Sequence, residues 1–127
     1  MALSGDWDQI DLFPCATQEE IKSAKSILQK YKRMKSIVED FERMGTAELN
    51  SKQLGVYTSF KHTIQTVERA VKLIIDDEIR RIMERRYLTG QPHYIIVSQF
   101  SIMHPSTVDR KINKGIESVA NSIKLWS

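Results

Sequence analysis

Few side chains in this sequence stand where covalent chemistry would need them. His62, His93 and His104 are isolated, with no partner at metal-ligand spacing. Cys15 is the single cysteine, so no internal disulfide can form, and no base lies near it in sequence. Asp76, Asp77 and Glu78 are adjacent, but neighbouring carboxylates on a helix point in different directions. Capping of a helix start accounts for them better than a metal site does. No glycine-rich loop could cradle a phosphate. The expectation is a protein without catalysis, metal or cofactor. What the spacing does support is recognition of an anion. Ser106, Thr107, Arg110, Lys111, Asn113 and Lys114 fall within nine residues of one helical segment.

That segment needs an element to position it. Val108, Ile112, Ile116, Val119 and Ile123 recur at spacings of four, four, three and four, one apolar stripe on a helix. Thr107, Arg110, Lys111 and Lys114 lie away from the stripe, with Asn113 beside them. Pro105 suits a first helical position. His104 or Ser106 can cap it, Ser106 with the better chemistry. A helix with an apolar back and a basic front near its N-terminus is what a reader of the major groove of double-stranded DNA requires. The same pattern also describes an ordinary solvated helix, so the rest of the chain must decide.

Working back from there, residues 93–100 form a short helix before a turn. Tyr94 to Val97 is rich in β-branched residues, but no second strand candidate exists nearby to pair with it. Before that, residues 77–88 read as a helix with Ile79, Ile82, Met83 and Tyr87 inward and Gly90 as its stop. Arg80, Arg81, Arg85 and Arg86 lie outward, either free for DNA or paired with Glu78 and Glu84. Thr17-Gln-Glu-Glu20 is a capping box that opens a long helix, 17–44, stopped by Gly45. Its stripe is Ile21, Ala24, Leu28, Tyr31, Met34, Val38 and Phe41. Lys22, Lys25, Lys30, Lys32, Arg33 and Lys35 crowd the same helix, as a solvated face or as phosphate contacts. Residues 45–55 read as a connection. A second long helix, 56–75, carries Phe60, Ile64, Val67, Val71 and Ile74, widened by Ala70 and Leu73. The opening arm, Met1 to Cys15, holds Trp7, Ile10, Leu12 and Phe13 and packs on the body or on a partner.

The fold class expected is all-α: long antiparallel helices followed by a C-terminal helix-turn-helix. The chain of 127 residues, 41% hydrophobic, is long enough to bury a core without disulfide or metal. Residues 1–76 hold 11 basic and 11 acidic side chains, whereas 77–127 hold 8 and 5, so the net charge of +3 lies in the C-terminal part. The chain therefore divides into an arm and hairpin, 1–76, and a DNA-binding unit, 77–127. The wide stripes call for self-association, most simply a two-fold dimer. No apolar run approaches the roughly 18 residues of a spanning helix, and no leader pattern opens the chain, which predicts a cytoplasmic protein without membrane contact.

Two stretches carry a resemblance. Arg85-Arg-Tyr-Leu-Thr-Gly90, an apolar helix, and Ser106-Thr-Val-Asp-Arg-Lys-Ile together resemble the end of sigma-factor region four. Ala16-Thr-Gln-Glu-Glu-Ile with Leu28-Gln-Lys-Tyr-Lys-Arg-Met-Lys35 is similar to the N-terminal half of the ArpU and RinA families of phage regulators. The resemblance covers residues 14–124 in order. It implies a transcriptional regulator of phage or prophage late genes, host RNA polymerase as a partner, and DNA contacts at Ser106, Thr107, Arg110, Lys111 and Lys114. The chain departs from the pattern at the turn, where Ser101 or Ile102 replaces the common glycine. Two other readings remain open: a small terminase-like packaging subunit, and a helical protein-protein adaptor.

Overall fold

In the computed structural model, which describes residues 15–100 and 102–127, the first helix begins at its capping box. Thr17 Oγ1 accepts from Glu20 N–H at 3.2 Å, and Glu20 Oε1 accepts from Thr17 N–H at 2.8 Å. Helix α1 spans Gln18–Met44 and ends at Gly45, whose φ of +94° an L side chain would resist. A short 3-10 turn, Thr46–Glu48, leads to α2, Ser51–Lys72. This helix starts five residues before the expected position 56 and stops before 75. The early start is another capping box: Asn50 Oδ1 accepts from Gln53 N–H at 2.8 Å, and Gln53 Oε1 accepts from Asn50 N–H at 3.0 Å. Leu73, placed in the apolar stripe from sequence, is exposed, because it lies past the last full turn.

Asp76 then caps α3, Asp77–Met83, by accepting from Ile79 N–H at 2.9 Å. The single helix expected over 77–88 instead widens into a π-helical turn, Glu84–Leu88, where Thr89 N–H donates to Glu84 O at 2.8 Å. Gly90, at a φ of +82°, closes it. Tyr94 to Val97 is helical, as expected, within α4, His93–Gln99. Helix α5 runs Pro105–Trp126. Its cap is His104, not Ser106: His104 Nδ1 accepts from Ser106 N–H at 3.2 Å and lies 2.7 Å from Ser106 Oγ. All elements among the described residues are helices or turns, and no helix there is long and apolar enough to cross a membrane. The arm up to Pro14 and Ser101 in the turn lie outside the described residues.

One core runs through all five helices. Leu28, Tyr31 and Val38 of α1 meet Val67, Ala70 and Val71 of α2, Ile82 and Met83 of α3, Ile96 of α4, and Val108, Ile116 and Val119 of α5. It is continuous across residues 76 and 77, where the charge balance changes. The stripes of α1 and α2 pack on each other and on α5 within the same chain. Each fully buried Leu, Ile, Val or Phe contributes about 1.5–3 kcal/mol, against about 0–1 kcal/mol for an exposed ion pair, so the core dominates. Gly115 lets α3 approach α5: a Cβ there would lie 2.5 Å from Met83 Cγ and Sδ, and Met83 is 0% exposed.

Two polar clusters tie α1 to α2. Glu42 accepts from Tyr57 Oη at 2.9 Å and Lys61 Nζ at 2.5 Å. Glu68 accepts from Tyr31 Oη at 2.5 Å and Lys35 Nζ at 3.1 Å. Partial burial of Glu68 raises its pKa, but the bonds from Tyr31 and Lys35 outweigh that and hold it below the usual carboxylate range. Burial, with the Glu68 carboxylate, pushes Tyr31 up; hydrogen bonds to Tyr31 and Glu68 raise Lys35.

The two helical glycines should respond with opposite signs. Gly115→Ala should cost about 1–2 kcal/mol, overpacking against Met83 outweighing the better helix propensity of alanine. Gly55→Ala, with nothing within 4 Å of its Cβ, should gain up to about 1 kcal/mol. Urea unfolding followed by circular dichroism measures both, and a Gly115→Ala protein as stable as wild type would show that Met83 yields freely. Glu68 should also give acid sensitivity. Its depressed pKa contributes stability that is present above the unfolded carboxylate value, about 4.3, and is lost as pH falls through the folded value. Wild type should therefore exceed Glu68→Gln in stability at pH 7, and the gap should shrink as pH falls below the unfolded carboxylate value. A gap that stays constant over that range contradicts the assignment.

Candidate nucleic-acid interface

Helix α5 turns the six candidate residues into three groups. Ser106, Arg110, Asn113 and Lys114 are exposed, on the side away from buried Val108, Ile112, Gly115, Ile116 and Val119. Thr107 is half-buried, and its Oγ1 lies 3.5 Å from Arg110 Nη2, a contact too long to hold the guanidinium strongly. Lys111 is drawn down onto Glu78 of α3 at 3.0 Å, with its side chain 25% exposed. The open face is therefore carried by Arg110, Asn113 and Lys114, with Ser106 at its N-terminal end. Glu117, one turn beyond Asn113, is also exposed and ends the run of basic and amide side chains.

The flank toward α1 adds residues that sequence reasoning did not assign to the site. Lys25 and Gln29 of α1, Arg86 and Tyr87 of the π turn, His93 of α4, and Asp109 and Asn113 of α5 line one groove. Lys32 borders the adjoining hollow, with its stem lying over Gly90: a Cβ at Gly90 would sit 3.0 Å from Lys32 Cγ. Asp109 Oδ1 is 2.6 Å from His93 Nε2, which links the starts of α4 and α5. Among the described residues Lys25, Lys32 and Arg86 take part in no ion pair. The signal for this flank lay in the lysine run of α1. Sequence spacing put Lys25 and Lys32 on one helix but could not show that the π turn brings Arg86 beside them.

Several other basic residues are tied down. Arg80 and Arg81 both pair with Asp77, Arg81 Nε at 3.2 Å from Oδ2. The intrahelical partner is thus the helix-start aspartate rather than Glu78 or Glu84. Arg80 Nη1 also donates to Ile74 O at 3.1 Å. Lys35 is held by Glu68, and Lys124 by Glu20 at 3.0 Å. Arg85 lies over the Phe100 ring, 5.4 Å from its centroid, and near Gln99. On the outer face of α5 and its α1 flank the open charge is carried by Arg110, Lys114, Lys25, Lys32 and Arg86; Lys30, Arg33, Lys52 and Lys72, elsewhere on α1 and α2, are also exposed without a carboxylate partner among the described residues.

This arrangement can bind an extended polyanion. Two elements offer free cations at the edges of a helix that carries an arginine and an amide outward. Both of these side chains can make paired hydrogen bonds to base edges. Comparison of the chain with protein-family models, with curated proteins and with solved structures finds no match in any of the three.

Proposed function

We propose that the protein binds double-stranded DNA sequence-specifically, with the first turns of α5 in the major groove. The observation that carries this reading is the joint exposure of Arg110, Asn113 and Lys114 on α5, with Asn113 sharing a groove with the unpaired Lys25 and Arg86. Arg110 reads a guanine edge and Asn113 an adenine edge; Lys114, Lys25 and Arg86 contact backbone phosphates and set the register. Ser106 and Thr107 stand where the helix enters the groove, and Lys111 steadies α5 through Glu78.

In this reading α4 and α5 form a helix-turn-helix. The short connection between Gln99 and Pro105 and the His93–Asp109 contact support it. The long helices form an antiparallel hairpin. The order of their contacts supports that: Glu42 meets Tyr57 and Lys61, whereas Tyr31 and Lys35, earlier in α1, meet Glu68, later in α2. A two-fold dimer would place two readers on one duplex. The hairpin tip, with Met44 and Leu54 exposed, is its proposed contact. Regulation of phage or prophage late genes, with host RNA polymerase as a partner, rests on the sequence resemblance alone.

The contacts should fail in different ways. Arg110→Ala should reduce binding to a selected site by about 1–3 kcal/mol relative to random DNA. Lys114→Ala and Arg86→Ala should weaken both classes of DNA about equally, each lowering the salt slope by about one ion. Fluorescence anisotropy on duplexes selected from a phage-genome library, against scrambled duplexes over a salt series, reads both effects. Circular dichroism should show each variant folded. If folded Arg110→Ala and Lys114→Ala proteins both keep wild-type specific affinity, α5 is not the reader, and a helical adaptor becomes the better account.

A further inference from the structure

Asp109 is out of place on a face that attracts anions. It is exposed on α5, next to Arg110 in sequence and one turn before Asn113, so the three side chains form a compact group. A carboxylate there opposes the approach of phosphates, and no local role offsets that. As the fifth residue of a helix that starts at Pro105, it lies past the first turn, where the helix dipole favours acidic groups. His104, not Asp109, caps the helix. Asp109 shares a groove with Lys25 and Arg86, yet it pairs with neither. Its side-chain partner among the described residues is His93, whose Nε2 lies 2.6 Å from Oδ1. A carboxylate only accepts, so Nε2 carries the proton and donates. The bond anchors Oδ1 to the first residue of α4, while the two side chains stay 47% and 57% exposed. A carboxylate held at one oxygen and open at the other is set to accept from outside the protein.

We propose that Asp109 accepts from the amino group of a cytosine in the major groove, with His93 as its positioning residue. The inference rests on the DNA reading of α5 and adds a third base contact to it. The chemistry of the base edges selects cytosine. Guanine O6 and N7 and thymine O4 are acceptors, which a carboxylate repels. Adenine offers an amino group but sets the N7 acceptor beside it, whereas cytosine presents N4 as a donor with no acceptor alongside. Asp109 thus weakens attraction to the backbone in general and adds discrimination at one base pair. Lys25 and Arg86 supply the general attraction.

Selection of sites from a random duplex library by the full chain, followed by sequencing, tests the assignment. Wild type is compared with Asp109→Asn, Asp109→Ala, His93→Ala and His93→Gln, each checked for folding by circular dichroism. Wild type should select a cytosine at one position of its motif. Both Asp109 variants should lose that preference by about tenfold and keep the other positions. Both should also bind scrambled duplexes more tightly, because a negative charge is gone. His93→Ala should relax the same position alone, and His93→Gln, which keeps an N–H donor, should restore it. A merely structural link between α4 and α5 would not give that pattern. A motif left unchanged at every position by the Asp109 variants overturns the proposal and leaves the DNA reading standing. Folded wild type that selects no motif overturns the DNA reading, and the proposal with it.

Discussion

Everything on the outer face of α5 depends on how its inner face is seated. Val108, Ile112, Gly115, Ile116 and Val119 are buried against α1, α2 and α3 together, and rotation of α5 about its axis would expose part of that stripe. Gly115 is the tightest point, since Met83 occupies the space a side chain would take. A helix locked this way has a fixed outward set, and Arg110, Asn113 and Lys114 belong to it. Rigid presentation matters for a base-reading helix, because paired hydrogen bonds to a base edge tolerate little displacement.

Electrostatics then sorts the basic residues into those that hold the fold and those left for a partner. Arg80, Arg81, Lys35, Lys61, Lys111 and Lys124 each meet a carboxylate. Lys25, Lys32, Arg86 and Arg110 do not, among the described residues, and the first three line adjoining hollows. The overall charge of +3 is small. The relevant quantity is the local field, which comes from where the acidic partners are absent. Asp109 interrupts that field but is engaged by His93, the residue that starts α4.

The π turn links these two levels. Its extra width sends Tyr87 into the core while Arg85 and Arg86 leave in different directions, one over Phe100 and one toward α1. The same turn ends at Gly90, against which the stem of Lys32 rests. A local change in helical hydrogen bonding thereby arranges a surface shared by three elements.

Much of the fold was legible in single residues. Thr17 with Glu20 announced α1, Gly45 ended it, and the stripe from Ala24 to Val38 named its buried face. These signals are local: a cap or a stripe is set by residues three and four apart, and sequence spacing reports them directly. The Asn50 and Gln53 box was equally local, and the start of α2 was missed because a polar stretch between glycines reads first as a loop. The exposure of Arg110 and Lys114 followed from periodicity in the same way. By contrast, Lys111 could not be separated from Lys114 on α5 alone, because Glu78, which draws one of them down, belongs to another helix. Nor could Lys25, Lys32 and Arg86 be joined, since their proximity depends on how α1 crosses the π turn. Helix identity and facing are properties of neighbours in the chain; which charges are cancelled and which are gathered is decided by packing between distant segments.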